Sequence, residues 1–213
     1  MTRETTPIRS ALIWAGLLVS AGGLLSQEAG PARPGAPLLI PKISGPVTLD
    51  GLSDEAAWAG IRPLPMIAFL PNYGDPPSEL TEVLIGHDDD YLYAAARLFD
   101  REPGRIQAPS KKRDYFEANT DLVAILLDTF NDKENALGFM TTPNGLRWDG
   151  MVTGDAEQRT INDMPINSSW NAFWDVAVAV DGRGWFAEFR IPFSSLRFQD
   201  RDGRVTMGLS VIR

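Results

Sequence analysis

Aromatic rings set close to planar polar side chains are the chemical resource this sequence offers most openly. In "DYFEANTD" the neighbours Tyr115 and Phe116 sit in a polar loop ahead of Asp121, where an exposed ring is costly unless something covers it. "NGLRWDGM" places Trp148 beside Asp149 in an expected hairpin, and "SSWNAFWD" places Trp170 and Trp174 at the entry to a strand. Rings of this kind stack on the C–H face of a sugar, while guanidinium, carboxylate and amide groups take its hydroxyl edges by paired hydrogen bonds. Tyr115, Phe116 and Trp148 are therefore candidates for an aromatic rim. Trp170 and Trp174 fit the edge of a core better.

The charged residues offer three further chemistries. In "GWFAEFRIPF" alternation puts Trp185, Ala187, Phe189 and Ile191 on one face, which reads as core, and Phe186, Glu188 and Arg190 on the other. In "YLYAAARLF" Tyr91, Tyr93, Ala95, Arg97 and Phe99 share a face, so Arg97 is expected to meet Glu188 across a sheet. A buried charge has to be paired, and Arg97, Glu188 and Arg190 read either as a structural ion network or as the polar floor of a sugar site. Two carboxylates roughly 5 to 10 Å apart suffice for glycoside hydrolysis. Asp121, Asp128, Asp149, Asp175 and Glu188 are candidates, but nothing in their spacing nominates a pair. Calcium asks for about six to eight oxygens. "DTFNDKEN" gathers Asp128, Asn131, Asp132, Glu134 and Asn135 in one turn, and "HDDD" gathers Asp88, Asp89 and Asp90. Neither has a fixed ligand spacing, and turns rich in Asp and Asn are common without metal.

Composition narrows the rest. The absence of cysteine removes disulfides, thiolate metal sites and thiol nucleophiles together, and the single histidine, His87, reads as a strand-end residue. That argues against a zinc enzyme and a histidine-based triad. Acidic residues outnumber basic ones, 28 to 20, and no basic run exceeds Lys111-Lys112-Arg113, so neither nucleic acid nor anionic lipid has an electrostatic footprint.

The elements that must position these residues come next. Arg3 and Arg9 precede the apolar run Ala11 to Leu25, which ends in small and polar "SQEAG". Residues 1–26 read as a secretory signal peptide with Ser26 last, the alternative being an uncleaved membrane anchor. The expected destination is the periplasm, the outer membrane or the medium. Residues 27–37 form a Pro/Gly/Ala linker, and the domain spans 38–213. With 213 residues, 44% hydrophobic, the chain holds enough for one domain core. The segments "LLIPKI", "VTLDG", "TEVLIGH", "YLYAAARLFD", "DLVAILLDTF", "ALGFMTT", "FWDVAVAV", "GWFAEFRI" and "VTMGLSVI" read as strands. The predicted fold is all-β, a two-sheet antiparallel sandwich of jelly-roll type with one short helix near the start of the domain. That helix lies in "VTLDGLSDEAAW": an Asp50-Gly51 turn, Ser53 as N-cap, and Trp58 turned inward as a plug.

Taken in order, "LDGLSDEAAW", "TEVLIGHDDDYLYAAARLFD", "DLVAILLDTFND", "GWFAEFRIPFSSLRF" and "MGLSVIR" resemble the successive signatures of the family-9 carbohydrate-binding module. The resemblance covers roughly Leu38 to Arg213. It is nearest to the form found N-terminal to an outer-membrane-type β-barrel in large exported bacterial proteins. It implies a β-sandwich that binds poly- or oligosaccharide, often with structural Ca2+, beside glycoside hydrolases acting on xylan or related polymers. It also implies a docking role for a following barrel, or hydrolase activity on O-glycosyl bonds, as alternatives. The family's stacking tryptophan falls here on Tyr115 or Phe116. Its second one lies past the segment matching "MGLSVIR", which makes the chain an expected N-terminal fragment.

Overall fold

A run that alternates apolar and polar residues has one face to bury, and pairing such runs satisfies the backbone while the apolar faces stack on one another. The computed structural model describes residues 15–20, 37–115, 117, 119–154 and 165–213. In chain order the strands are β1 (Ala15–Ser20), β2 (Leu38–Leu39), β3 (Thr81–His87), β4 (Tyr91–Phe99), β5 (Val123–Asp128) and β6 (Ala136–Thr141). There follow β7 (Arg147–Val152), β8 (Ile166–Asn167), β9 (Asp175–Asp181), β10 (Gly184–Pro192), β11 (Asp200–Arg201) and β12 (Arg204–Ile212). One sheet has the order β3-β4-β10-β9; the other runs β2-β1-β12-β5-β6-β7-β8, with β11 paired to β12. Every pairing but the parallel β1·β2 is antiparallel, so the expected all-β sandwich is what forms.

The core lies between the sheets and follows the predicted alternation. Trp185, Phe189 and Ile191 of β10 and Leu92 and Leu98 of β4 meet Val123, Ile125 and Leu127 of β5, Phe139 of β6 and Leu209 of β12. The outer face of the four-stranded sheet is covered as well. An arm over residues 40–61 lies on it, and Trp58 is only 2% exposed among Ile43, Ala57, Leu84, Tyr93 and Ala95. His87 ends β3 as expected, and its backbone binds the arm through Ile43 N–H to His87 O and His87 N–H to Pro41 O.

The arm departs from the sequence reading in its details. Val47–Leu49 makes no strand, because the Thr48 amide donates to the Glu55 carboxylate at 2.7 Å. The helix is a single 3-10 turn, Ala56–Trp58, preceded by Glu55 and without a side-chain cap. Ser53 is no N-cap: its hydroxyl and carbonyl accept from Arg97 Nε at 2.8 Å and Nη2 at 2.6 Å. A guanidinium rising from the sheet makes stronger hydrogen bonds than a neighbouring amide would.

Two further positions differ. Trp148 lies within β7, and the hairpin turn comes earlier, where Gly145 adopts a φ of 73° and donates to Thr142 O at 2.8 Å. Ala15–Ser20, inside the expected signal peptide, runs along β12 from Ala15 opposite Leu209 to Ser20 opposite Arg204. Residues 1–14 and 21–26 of that expected leader, and 27–36 of the linker, lie outside the described residues.

Candidate functional site

At one end of the sandwich the segment 170–175 crosses from the large sheet to the small one. Trp174 is its anchor. Its indole is 3% exposed, stacks on Phe189 at 5.7 Å and meets Phe139 edge-on at 5.5 Å, so one side chain ties β10 to β6. Because adjacent residues point to opposite sides of an extended chain, burying Trp174 turns Phe173 outward. Phe173 is 88% exposed. Its backbone is nevertheless held on both sides: Ser195 Oγ donates to Phe173 O at 2.8 Å, and Arg147 Nη1 donates to Trp174 O at 2.9 Å. An exposed ring on a pinned backbone is a preformed stacking surface.

Beside this ring opens a cleft of 520 Å³, lined by Tyr91, Arg113, Arg147, Asn171, Ala172, Phe173, Trp174, Asp175 and Pro192. Asp149 organises its floor. The carboxylate has no exposure and accepts from the Ala172 amide at 2.6 Å, from Trp174 Nε1 at 3.2 Å and from Arg113. Each of these ties a different lining residue to β7. Arg113 also donates to Asn171 Oδ1 at 3.2 Å, which orients the amide. At the rim Arg190 pairs with Asp175 at 2.7 Å and lies over the Tyr91 ring, 5.4 Å from its centre. Apolar ring faces thus stand beside fixed guanidinium, amide and carboxylate groups, the mixture that stacking and edge recognition require.

Of the residues nominated from sequence, Asp149, Asp175 and Trp174 come to the cleft, but Tyr115 and Trp148 do not. Trp148 alternates with Asp149 on β7 and therefore lies on the sheet's other face. There it lies over Gly138 and Gly150, where an added Cβ would come within 3.2 and 2.8 Å of the indole. Tyr115 is 38% exposed and donates its hydroxyl to Glu117. Phe116 lies outside the described residues. Phe173, Arg147, Arg113 and Asn171 were not nominated. The signal for Phe173 was present in "AFWD", since of two adjacent large rings entering a strand only one can face the core.

Arg97 and Glu188, expected to meet, bind separate parts of the arm. Register sets Glu188 opposite Ala95 and Arg97 opposite Phe186. Arg97 reaches Ser53 and, on β3, Glu82 at 3.4 Å. Glu188, 1% exposed, accepts from the Asp50 and Gly51 amides at 3.1 and 3.0 Å. Burial pushes its carboxyl up to about 7 against the pull of those two amides, and the nearby charges of Glu55 and Asp50 add to the rise. Arg190, the third member of that set, joins the cleft instead.

In the acidic turns the carboxylates face backbone amides. Asp128 accepts from Phe130, Asp132 and Lys133, with Lys133 nearest at 2.7 Å, and Asp132 accepts from Glu134 and Asn135 at 2.8 Å each. In "HDDD", Asp88 takes the Asp90 and Tyr91 amides at 2.8 and 2.7 Å and the Tyr93 hydroxyl at 2.9 Å. Among the described residues no group of three His, Asp or Glu side chains is disposed to hold a metal ion.

Compared with known proteins, the sequence matches no family model and no curated protein. Among solved structures the chain is similar to a carbohydrate binding module family 9 (CBM9) from Caldicellulosiruptor kristjanssonii in complex with glucose, with a TM-score of 0.47 and 16% identity over 80% of this chain and 84% of that one. It is likewise similar to a CBM9 from the same organism in complex with cellotriose, with a TM-score of 0.45 and 17% identity over 80% of this chain and 83% of that one.

Proposed function

We propose that the protein is a carbohydrate-binding module and that the cleft beside Phe173 is where a poly- or oligosaccharide docks. The observation that carries this reading is a large ring, 88% exposed, on a backbone pinned from both sides and flanked by oriented Arg113, Arg147, Asn171 and Asp175 side chains. An aromatic platform that is already ordered loses little entropy on binding, and the polar groups around it are placed for hydroxyl edges. The cleft's carboxylates are engaged: Asp149 by three donors and Asp175 by Arg190. This arrangement favours holding a sugar over cleaving one.

The setting belongs to the same proposal. The apolar N-terminal segment directs export, and the module holds a xylan- or cellulose-like polymer for partner hydrolases. Calorimetry with xylo-, cello- and manno-oligosaccharides tests the site. We expect dissociation constants from micromolar to millimolar, about −8 to −4 kcal/mol. Phe173→Ala should weaken binding by roughly tenfold or more, the cost of removing a stacking ring from an interface centre, with an almost unchanged melting temperature. Undiminished binding by that variant would place the sugar elsewhere.

A further inference from the structure

The cleft's three arginines are not alike. Arg113 is engaged with Asp149 and, at 3.5 Å, with Asp114, while Arg190 is engaged with Asp175. Among the described residues Arg147 forms no ion pair, and the one hydrogen bond of its side chain runs from Nη1 to Trp174 O at 2.9 Å. That bond orients the guanidinium and leaves Nε and Nη2 without an acceptor among the described residues. The chain as a whole carries a net charge of −8, so an unmatched cation held in place in the cleft runs against its overall balance.

Resting on the carbohydrate reading of this cleft, we propose that its ligand is an acidic saccharide, with a uronic acid carboxylate seated on Arg147 while the sugar ring stacks on Phe173. A guanidinium offers two parallel N–H donors in one plane, and a carboxylate offers two oxygens in the matching geometry. A neutral hydroxyl meets only one donor at a time. The half-buried Tyr91, also lining the cleft, adds a second apolar face. Asp175 does not neutralise Arg147, because Arg190 already holds it, at 2.7 Å by Nη2 and 3.3 Å by Nε.

The test is calorimetry on the full chain with a tri-galacturonate and a glucuronic-acid-bearing xylo-oligosaccharide, each against its own methyl ester, which keeps the sugar and removes the charge. At least one acid should bind roughly tenfold or more tighter than its ester, as expected for a charge-assisted pair, and the margin should shrink with added salt. Arg147→Gln should cut the acid-to-ester ratio to within about threefold, and Arg147→Lys, which keeps the charge without the planar fork, should restore part of it. Acids and esters of equal affinity, or a ratio unchanged in Arg147→Gln, would overturn the acidic-ligand proposal and leave the carbohydrate reading standing. No binding of any acid, ester or neutral oligosaccharide would overturn both.

Discussion

Glu188 shows what a single buried carboxyl does for this molecule. It sits beneath the Asp50-Gly51 turn with one oxygen holding two amides, while its other oxygen and Oε2 of Glu55 are buried without a hydrogen-bond partner among the described residues. The folded protein therefore binds the Glu188 proton more tightly than the unfolded chain does, at about 7 against an ordinary 4.5. Between those values the native state holds more protons, so this group's contribution makes stability fall as pH rises through that window and level off above it. The drop is at most about 3 to 4 kcal/mol, since each tenfold difference in proton affinity between the two states is worth roughly 1.4 kcal/mol. Urea denaturation of the parent and Glu188→Gln across this range should show the variant gaining on the parent as pH rises. A constant difference between the two would refute it. At this scale the sequence was only partly legible. Asp149, in an expected hairpin, and Asp175, at the entry to a strand, were two of five carboxylate candidates, but Arg147 and Asn171 look like any surface residues until β7 and the 170–175 segment bring them together.

Among the elements, the arm over residues 40–61 shows how a short motif is fixed by what lies under it. Trp58 fills the outer face of the four-stranded sheet, and Gly51 lies so close to β9 that an added Cβ would stand 2.5 Å from Val178 C, at a φ of 90° that side chains rarely adopt. Trp58→Ala should destabilise the protein by about 3 to 5 kcal/mol, and Gly51→Ala should destabilise it as well because overpacking and positive φ act together. Chemical denaturation reads both; a loss below about 1 kcal/mol at Trp58 would mean that the ring is not a core plug. Most long strands of the two sheets were legible because alternation and β-branched or aromatic content are local properties; β1, read as leader, and β7, read as a hairpin, were not. The arm's Val47–Leu49 looked like another strand, but residues that find partners in side chains such as Glu55 do not need a sheet, and no local pattern reveals that. Trp148 was misplaced for a related reason: "NGLRWDG" carries a turn signal, and the turn closes before the tryptophan.

For the whole molecule, two uses of the apolar N-terminal segment compete. Ala15–Ser20 pairs with β12 here, yet a leader ending at Ser26 would take that strand away on export. Intact-mass measurement of exported protein should give a chain beginning near Gln27; a retained N-terminus would contradict export by a cleaved leader. The cleft proposed for sugar does not depend on that segment, because its parts come from β4, β7, β9, β10 and the loops beside them. The cleft at Phe173 is where ligand binding is decided. The most direct measurement is an amide and indole chemical-shift titration with acidic and neutral oligosaccharides. Saturable shifts centred on Asn171, Ala172, Phe173, Asp175 and the Trp174 indole N–H are the predicted result, since the last donates to Asp149 at the cleft floor. Shifts confined to Tyr115 and Trp148, or none at millimolar ligand, would contradict it.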